Sequence, residues 1–253
     1  VKKIWNVHSK MSAATIRDVT SPAVARHTGV RAQKRDELVQ RVQRTALELF
    51  AERGYHGTSI PMILEAAGVS ASSLYRLHPS KEALVNAVFL EAKTRLGAAL
   101  AEVEGEDPRD AGLDAASAAH ARFVRIWDRL ARFAAEEPTT FRFLELQDHT
   151  PYLDGPSRTK ELSVLAPLAL ACMDLQRRGV LRAEIGVDVM LATLWGALVG
   201  LVKASRLGYL ALDDDKLAEA REALWRGFAQ PDEAQAEHTT TARRKARRRE
   251  SGR

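Results

Sequence analysis

His120, His149 and Cys172 are side chains whose types could carry chemistry inside this sequence. His120 falls on an apolar stripe, one heptad before Trp127, where an imidazole can bond a ligand or bind a metal. A histidine satisfied within a core is the commoner outcome. His149 follows Asp148 near a predicted helix end, and no ligand spacing joins it to His120 as a metal pair. Cys172 sits on a predicted buried face with nothing basic within one turn, so it reads as a small hydrophobe rather than a redox sensor. Nowhere do a nucleophile, a base and oxyanion donors recur together, so no catalytic residue, cofactor or metal ligand is expected.

The informative stretch is Arg35 to Glu91, and its information lies in how elements are started and stopped. Leu38, Val42, Ala46, Leu49 and Phe50 share one helical face, and Gly54 ends that helix. Thr58 or Ser59 caps a short second helix, in which Pro61 is tolerated because the first turn has spare N–H groups. Gly68 permits a tight turn, and Ser70 caps a short third helix that Val69 and Leu74 can pin against the first two. Its N-terminal turn is thereby left free to face a groove. Pro79-Ser80 ends that helix and opens a long fourth one to about Val103.

The run TALELFAERGYHGTSIPMILEAAGVSASSLYRLHPSKEAL closely resembles the DNA-binding domain of the tetracycline-repressor (TetR) family. The matching anchors are Leu-Phe before Glu-Arg-Gly-Tyr, Thr-Ser, Ala-Gly-Val-Ser, Leu-Tyr and Ser-Lys-Glu-Ala-Leu. FRFLELQDHTPYLD also resembles a segment of some members. The resemblance implies a homodimeric, ligand-responsive regulator, by expectation a repressor, on a palindromic double-stranded DNA operator. By the same resemblance, Thr58 and Ser59 would donate to a phosphate, and Ala71, Ser72 and Ser73 would face base edges beside the Ser70 cap. Tyr75 and Lys81 would reach phosphates, and Arg76 would contact a base or a phosphate. The chain departs from the family pattern at Pro61, Leu64, Leu77 and His78, and Ala71 and Ser72 are too small for bidentate base contacts. Readout by DNA shape or by a basic arm is the corresponding expectation.

Beyond this segment the pattern remains helical and gives nine helices in an all-α chain. Residues 113, 116, 120, 123, 127, 130 and 134 form an apolar stripe. Further helices are expected at 138–149, 159–178 (with a kink at Pro167), 187–208 and 214–229, with a loop at 150–158. The expected divisions are a flexible basic arm at 1–33, a three-helix DNA-binding domain at 34–80, a helical ligand-sensing and dimerisation domain at 81–230, and a disordered basic tail at 231–253. Residues 81–103 serve as the linking helix. An unknown small-molecule effector would lie among His120, Phe123, Trp127, Leu144, Met173 and Trp195. Ala192, Gly196, Gly200 and Ala204 recur every four residues, and Leu217, Ala220, Leu224 and Phe228 form a second seam. Together they predict a four-helix interface across a two-fold axis.

Charge divides the chain in the same places. Residues 1–44 carry net +7 and residues 237–253 net +5, so a total of +5 leaves the middle at about −7. Basic ends on an acidic body fit a polyanion at the ends, although basic termini also serve solubility. A single cysteine fits a reducing cytoplasm. The apolar run Val187–Val202 is interrupted by Asp188 and Thr193, so no membrane partner is expected. Val1 precedes Met11, which makes Met11 a candidate start. The competing reading is an architectural DNA-binding protein without ligand response.

Overall fold

The computed structural model describes residues 22–103 and 107–231 of the chain. The candidate start at Met11, most of the basic arm and nearly all of the basic tail lie outside these residues. The described part holds nine α-helices: α1 (Pro22–Gly57), α2 (Ile60–Ala67), α3 (Ala71–Leu77), α4 (Lys81–Ala101), α5 (Ala115–Glu136), α6 (Pro138–Glu145), α7 (Gly155–Arg177), α8 (Val187–Arg206) and α9 (Asp214–Phe228). A 3-10 turn at Pro108–Asp110 precedes α5. No strand is present among the described residues beyond one isolated bridge, Leu181 to Ala229.

Local chemistry accounts for the first four helices. Gly54 adopts φ 72°, the left-handed region, and breaks the helical path near the end of α1. A Cβ there would meet Gln147 Oε1 at 3.1 Å, which that flexible side chain can yield, so it is the backbone conformation that favours glycine. Ser59, Ser70 and Ser80 each accept the backbone N–H of the third residue onward, from Met62, Ser73 and Ala83. Each such cap is worth about 1 kcal/mol. Gly68, at φ 62°, closes α2 and turns the chain into α3. Val42, Ala46, Phe50, Ile63, Leu74 and Leu84 bury themselves between α1, α2, α3 and the start of α4. That core fixes how α3 is presented.

The long α4 carries this unit into the rest of the molecule. Phe89, Leu96 and Leu100 are buried on it, and it packs against α1, α5, α6 and α7. Trp127, Leu130 and Phe133 of α5 and Phe141, Phe143 and Leu144 of α6 continue the core. The outer sides of α7 and α8 are left bare. Leu162, Leu170 and Met173 of α7 are exposed by 67%, 66% and 50%, and Val189 of α8 by 53%.

Several expectations need correcting. Helix α1 starts at Pro22, ahead of the helical periodicity read from Arg35 onward, so the stretch 22–33 is helical. Leu113 and Ala116 are exposed, because Asp114 caps α5 and the chain ahead of it turns away. Helix α6 stops at Glu145, and α7 starts at Gly155, where Asp154 accepts from Ser157 N and Pro156 occupies the first turn. The Asp-Gly-Pro run thus acts as a helix start rather than a loop. Helix α8 spans Val187–Arg206, close to the expected 187–208, and with a mean hydropathy of 1.6 it is long and apolar enough to cross a membrane despite Asp188 and Thr193. Its inner side, Met190, Leu194 and Leu198, is instead spent on this protein's own core.

Candidate nucleic-acid interface and effector cavity

Helix α3 offers its polar side outward. Leu74 is fully buried and anchors it, while Ser70, Ala71, Ser72, Tyr75 and Arg76 are exposed. The hydroxyls of Ser70, Ser72 and Ser73 lie 3.0–3.1 Å apart in a chain around the first turn. Hydroxyls donate or accept by rotation, so this turn can bond either kind of base edge. Arg76 has no ion-pair partner among the described residues, and Tyr75 is 49% exposed. Both extend from the same helix as the serines.

Two residues expected at phosphates are turned elsewhere. Thr58 is buried, and its hydroxyl is 2.9 Å from the Gly54 carbonyl and 3.1 Å from that of Leu49. It clasps the end of α1, so of the two residues only Ser59 is exposed at the start of α2. Lys81 is half-buried; its ammonium donates to the Tyr55 carbonyl and lies 4.0 Å from the centre of the Tyr55 ring. Burial lowers its pKa.

Behind this unit lies a joint that sequence reasoning missed. Tyr55 donates its hydroxyl to Glu82 at 2.5 Å and stacks on Tyr152. Burial and that carboxylate raise the Tyr55 hydroxyl to about 12. His149 is buried beside them, with Nε2 2.6 Å from the Phe143 carbonyl and Nδ1 2.8 Å from the Tyr152 hydroxyl. A carbonyl only accepts, so Nε2 carries the proton and Nδ1 accepts from Tyr152. Asn86 of α4 completes the joint, donating to the Tyr152 carbonyl and accepting from the Asp154 N–H. The aromatic residues at 55 and 152 were the available signal.

The expected effector residues are mostly not together. A cavity of about 70 Å³ lies between α5, α7, α8 and α9, lined by Phe123, Ile126, Leu168, Cys172, Leu194 and Trp225 among others. Of the six residues expected there, only Phe123 lines it. His120 stands beside the cavity, its ring tilted 35° to that of Trp225 and 3.0 Å from Glu222. Trp127 is fully buried in the core, Leu144 is buried there as well, and Met173 is exposed on α7. Trp195 donates to Glu145, which also lies 3.8 Å from Lys93. Cys172 does line the cavity, and burial pushes its thiol up, which suits a wall rather than a nucleophile.

The interface residues also divide. Ala192, Gly196 and Gly200 are exposed, and a Cβ on either glycine would meet nothing within 4 Å. Leu217, Leu224 and Phe228 turn inward, because α9 lays its apolar side on α5 and α8. Phe228 is buried in the core and lines the cavity, whereas Leu217 and Leu224 are half-buried against it.

Comparison with known proteins agrees with this architecture. The family "Bacterial regulatory proteins, tetR family" matches residues 44–88, and "Tetracyclin repressor-like, C-terminal domain" matches residues 110–229. The HTH-type transcriptional regulator RutR of Escherichia coli is 41% identical over 62 residues, which is 24% of this chain and 29% of RutR. UidR of the same organism, also an HTH-type transcriptional regulator, is 36% identical over 66 residues, 26% of this chain and 34% of UidR. The matched stretch thus spans about a third of these curated relatives. In fold, the chain is similar to a TetR family transcription regulator from Marinobacter aquaeolei VT8, with a TM-score of 0.67 and 22% identity over 79% of this chain and 100% of that one. With both halves matched in order, the chain belongs to the TetR family of DNA-binding transcription regulators.

Proposed function

We propose that this protein is a homodimeric repressor, working in the cytoplasm, that leaves a palindromic operator when a small molecule enters the cavity. The observation that carries this reading is the exposed first turn of α3, Ser70 to Ser73, beside exposed Arg76 on a helix held by buried Leu74. Small serines make few bidentate base contacts, so Arg76 supplies the strong one and DNA shape supplies part of the rest. Ser59 and Tyr75 would position the helix on phosphates.

Pairing falls to the outer sides of α7 and α8. Leu162, Leu170, Met173 and Val189 give an apolar surface, and Gly196 and Gly200 let a partner helix approach closely. Two helices from each copy would form a four-helix interface, with α7 taking the place that the sequence suggested for α9. The same pairing gives the hydropathy of α8 a use other than a membrane.

The Tyr55–Tyr152–His149 joint would transmit cavity occupancy to α3. Half-sites on DNA repeat at about 34–36 Å, so a small change in the separation of two α3 helices is enough for release. Selection of bound duplexes from a random pool tests this reading. A two-fold symmetric site supports it, whereas binding without sequence preference supports an architectural protein.

A further inference from the structure

Arg122 is a cation facing an otherwise apolar chamber. It lines the 70 Å³ cavity and also a larger open cleft of about 600 Å³ bounded by Asp107, Asp110, Ala115 and Arg178. Ala119, Arg122 and Leu175 border both, so they form the partition between chamber and cleft. Arg122 Nε is buried without a hydrogen-bond partner, and Arg122 has no ion pair among the described residues. Nearby Arg125 shows the contrast, because it is 2.6 Å from Asp110 and 3.6 Å from Asp107. Those two carboxylates are thus already engaged by another guanidinium.

A buried guanidinium nitrogen left unpaired is costly, and a bound anion would relieve it. Behind it the wall offers only hydrocarbon, aromatic and thiol surface, including Phe123, Ile126, Leu168, Cys172 and Trp225. The free volume is about that of two waters in the liquid, so the closed chamber admits only the first carbons of a tail, and a longer one enters as Arg122 swings toward the open cleft.

From this geometry we infer that the effector is a small amphipathic carboxylate, its headgroup paired with Arg122 at the partition and its hydrocarbon tail in the chamber. The inference rests on the sensing role proposed above for this cavity. Arg178, on the rim of the cleft, is 3.6 Å from Asp174, so Arg122 is the cation left for the headgroup. Entry displaces the Arg122 side chain, whose long stem can swing without moving α5.

The experiment uses full-length protein with hexanoate, its neutral amide hexanamide and its cationic counterpart hexylamine, followed by calorimetry and thermal melting. Hexanoate should bind about tenfold or more tightly than either analogue, the difference expected of a charge-assisted bond. Arg122→Met should abolish that preference while leaving the ligand-free melting temperature within a few degrees, and Arg122→Lys should keep part of it. If Arg122→Met fails to fold, Ala171→Leu, which fills the chamber and leaves the cation, should abolish hexanoate binding instead. Equal binding of hexanoate and hexanamide overturns the inference, as does hexanoate binding undiminished in either variant, or no binding by any probe at millimolar concentration. Operator affinity is read separately. Hexanoate that binds through Arg122 but leaves the protein on DNA supports the anion site and refutes the sensing role.

Discussion

Tyr55, at the end of α1, and Tyr152, in the loop after α6, stack with ring centroids 4.3 Å apart and planes 26° from parallel. The pair ties the element that carries α2 and α3 to the loop leading into α7. Offset aromatic stacking contributes about 0.5–1.5 kcal/mol beyond the area it buries. A double-mutant cycle on Tyr55→Leu and Tyr152→Leu, read by urea unfolding, should give a coupling of about that size. Additive losses would mean that the two rings do not support one another.

Protonation reaches the same joint through His149. Burial lowers its pKa, Lys93 acts in the same direction, and the Phe143 carbonyl, Glu161 and Asp148 oppose. The unfolded chain therefore takes up a proton before the folded one. His149's contribution to stability is complete above the ordinary value of 6.5 and is lost as pH falls from there toward the lowered folded value. A proton on Nδ1 would also end the bond that His149 accepts from Tyr152. Glu145 has a raised pKa from burial and pulls the opposite way, gaining stability as it is protonated. The comparison is consequently between wild type and His149→Gln. Stability of the wild type should fall more steeply from pH 7 to pH 5, and identical slopes would remove His149 from the linkage.

Gly200→Leu should leave each copy folded and separate the pair. Among the described residues, nothing beyond its own stretch of helix lies within 4 Å of a Cβ at Gly200. In the proposed dimer a branched side chain there would meet the partner helix. Sedimentation should show a shift toward monomer with the helical content unchanged. A mutant that remains fully dimeric would place the interface elsewhere.

Arg76→Ala should weaken operator binding by about 1–3 kcal/mol, the worth of one specific arginine contact. Thr58→Ala should act differently. Its hydroxyl holds the Leu49 and Gly54 carbonyls, so its loss should lower the melting temperature as well as affinity. Anisotropy titrations on operator DNA, with melting curves alongside, separate the two. Normal affinity in Arg76→Ala would take Arg76 out of the interface.

What could be read from the sequence was local, and what could not was relational. Ser59, Ser70 and Ser80 cap because a hydroxyl needs only the N–H three residues on, and Gly68 turns because of its own backbone. The α3 surface was legible for the same reason. Thr58 was placed outward because its acceptors, at Leu49 and Gly54, become neighbours only across the break in α1. The cavity depends on how four helices are rotated against one another, so the periodicity of α5 found Phe123 and overlooked Arg122. That arginine interrupts a run bounded by Ala119, Phe123 and Ile126, and this was the available sign. The seam of α9 was rightly seen as apolar, but apolarity does not say whether a helix meets its own core or another copy.

A symmetric dimer that reads sequence binds its own site far more tightly than other DNA. The direct measurement is the affinity of the full chain for the site selected from a random pool, against a scrambled duplex of the same length and composition, at physiological salt. Preference for the selected site by about a thousandfold or more, with two protomers per duplex, is expected of a specific regulator. Equal affinity for both duplexes, or one protomer bound per site, would contradict it.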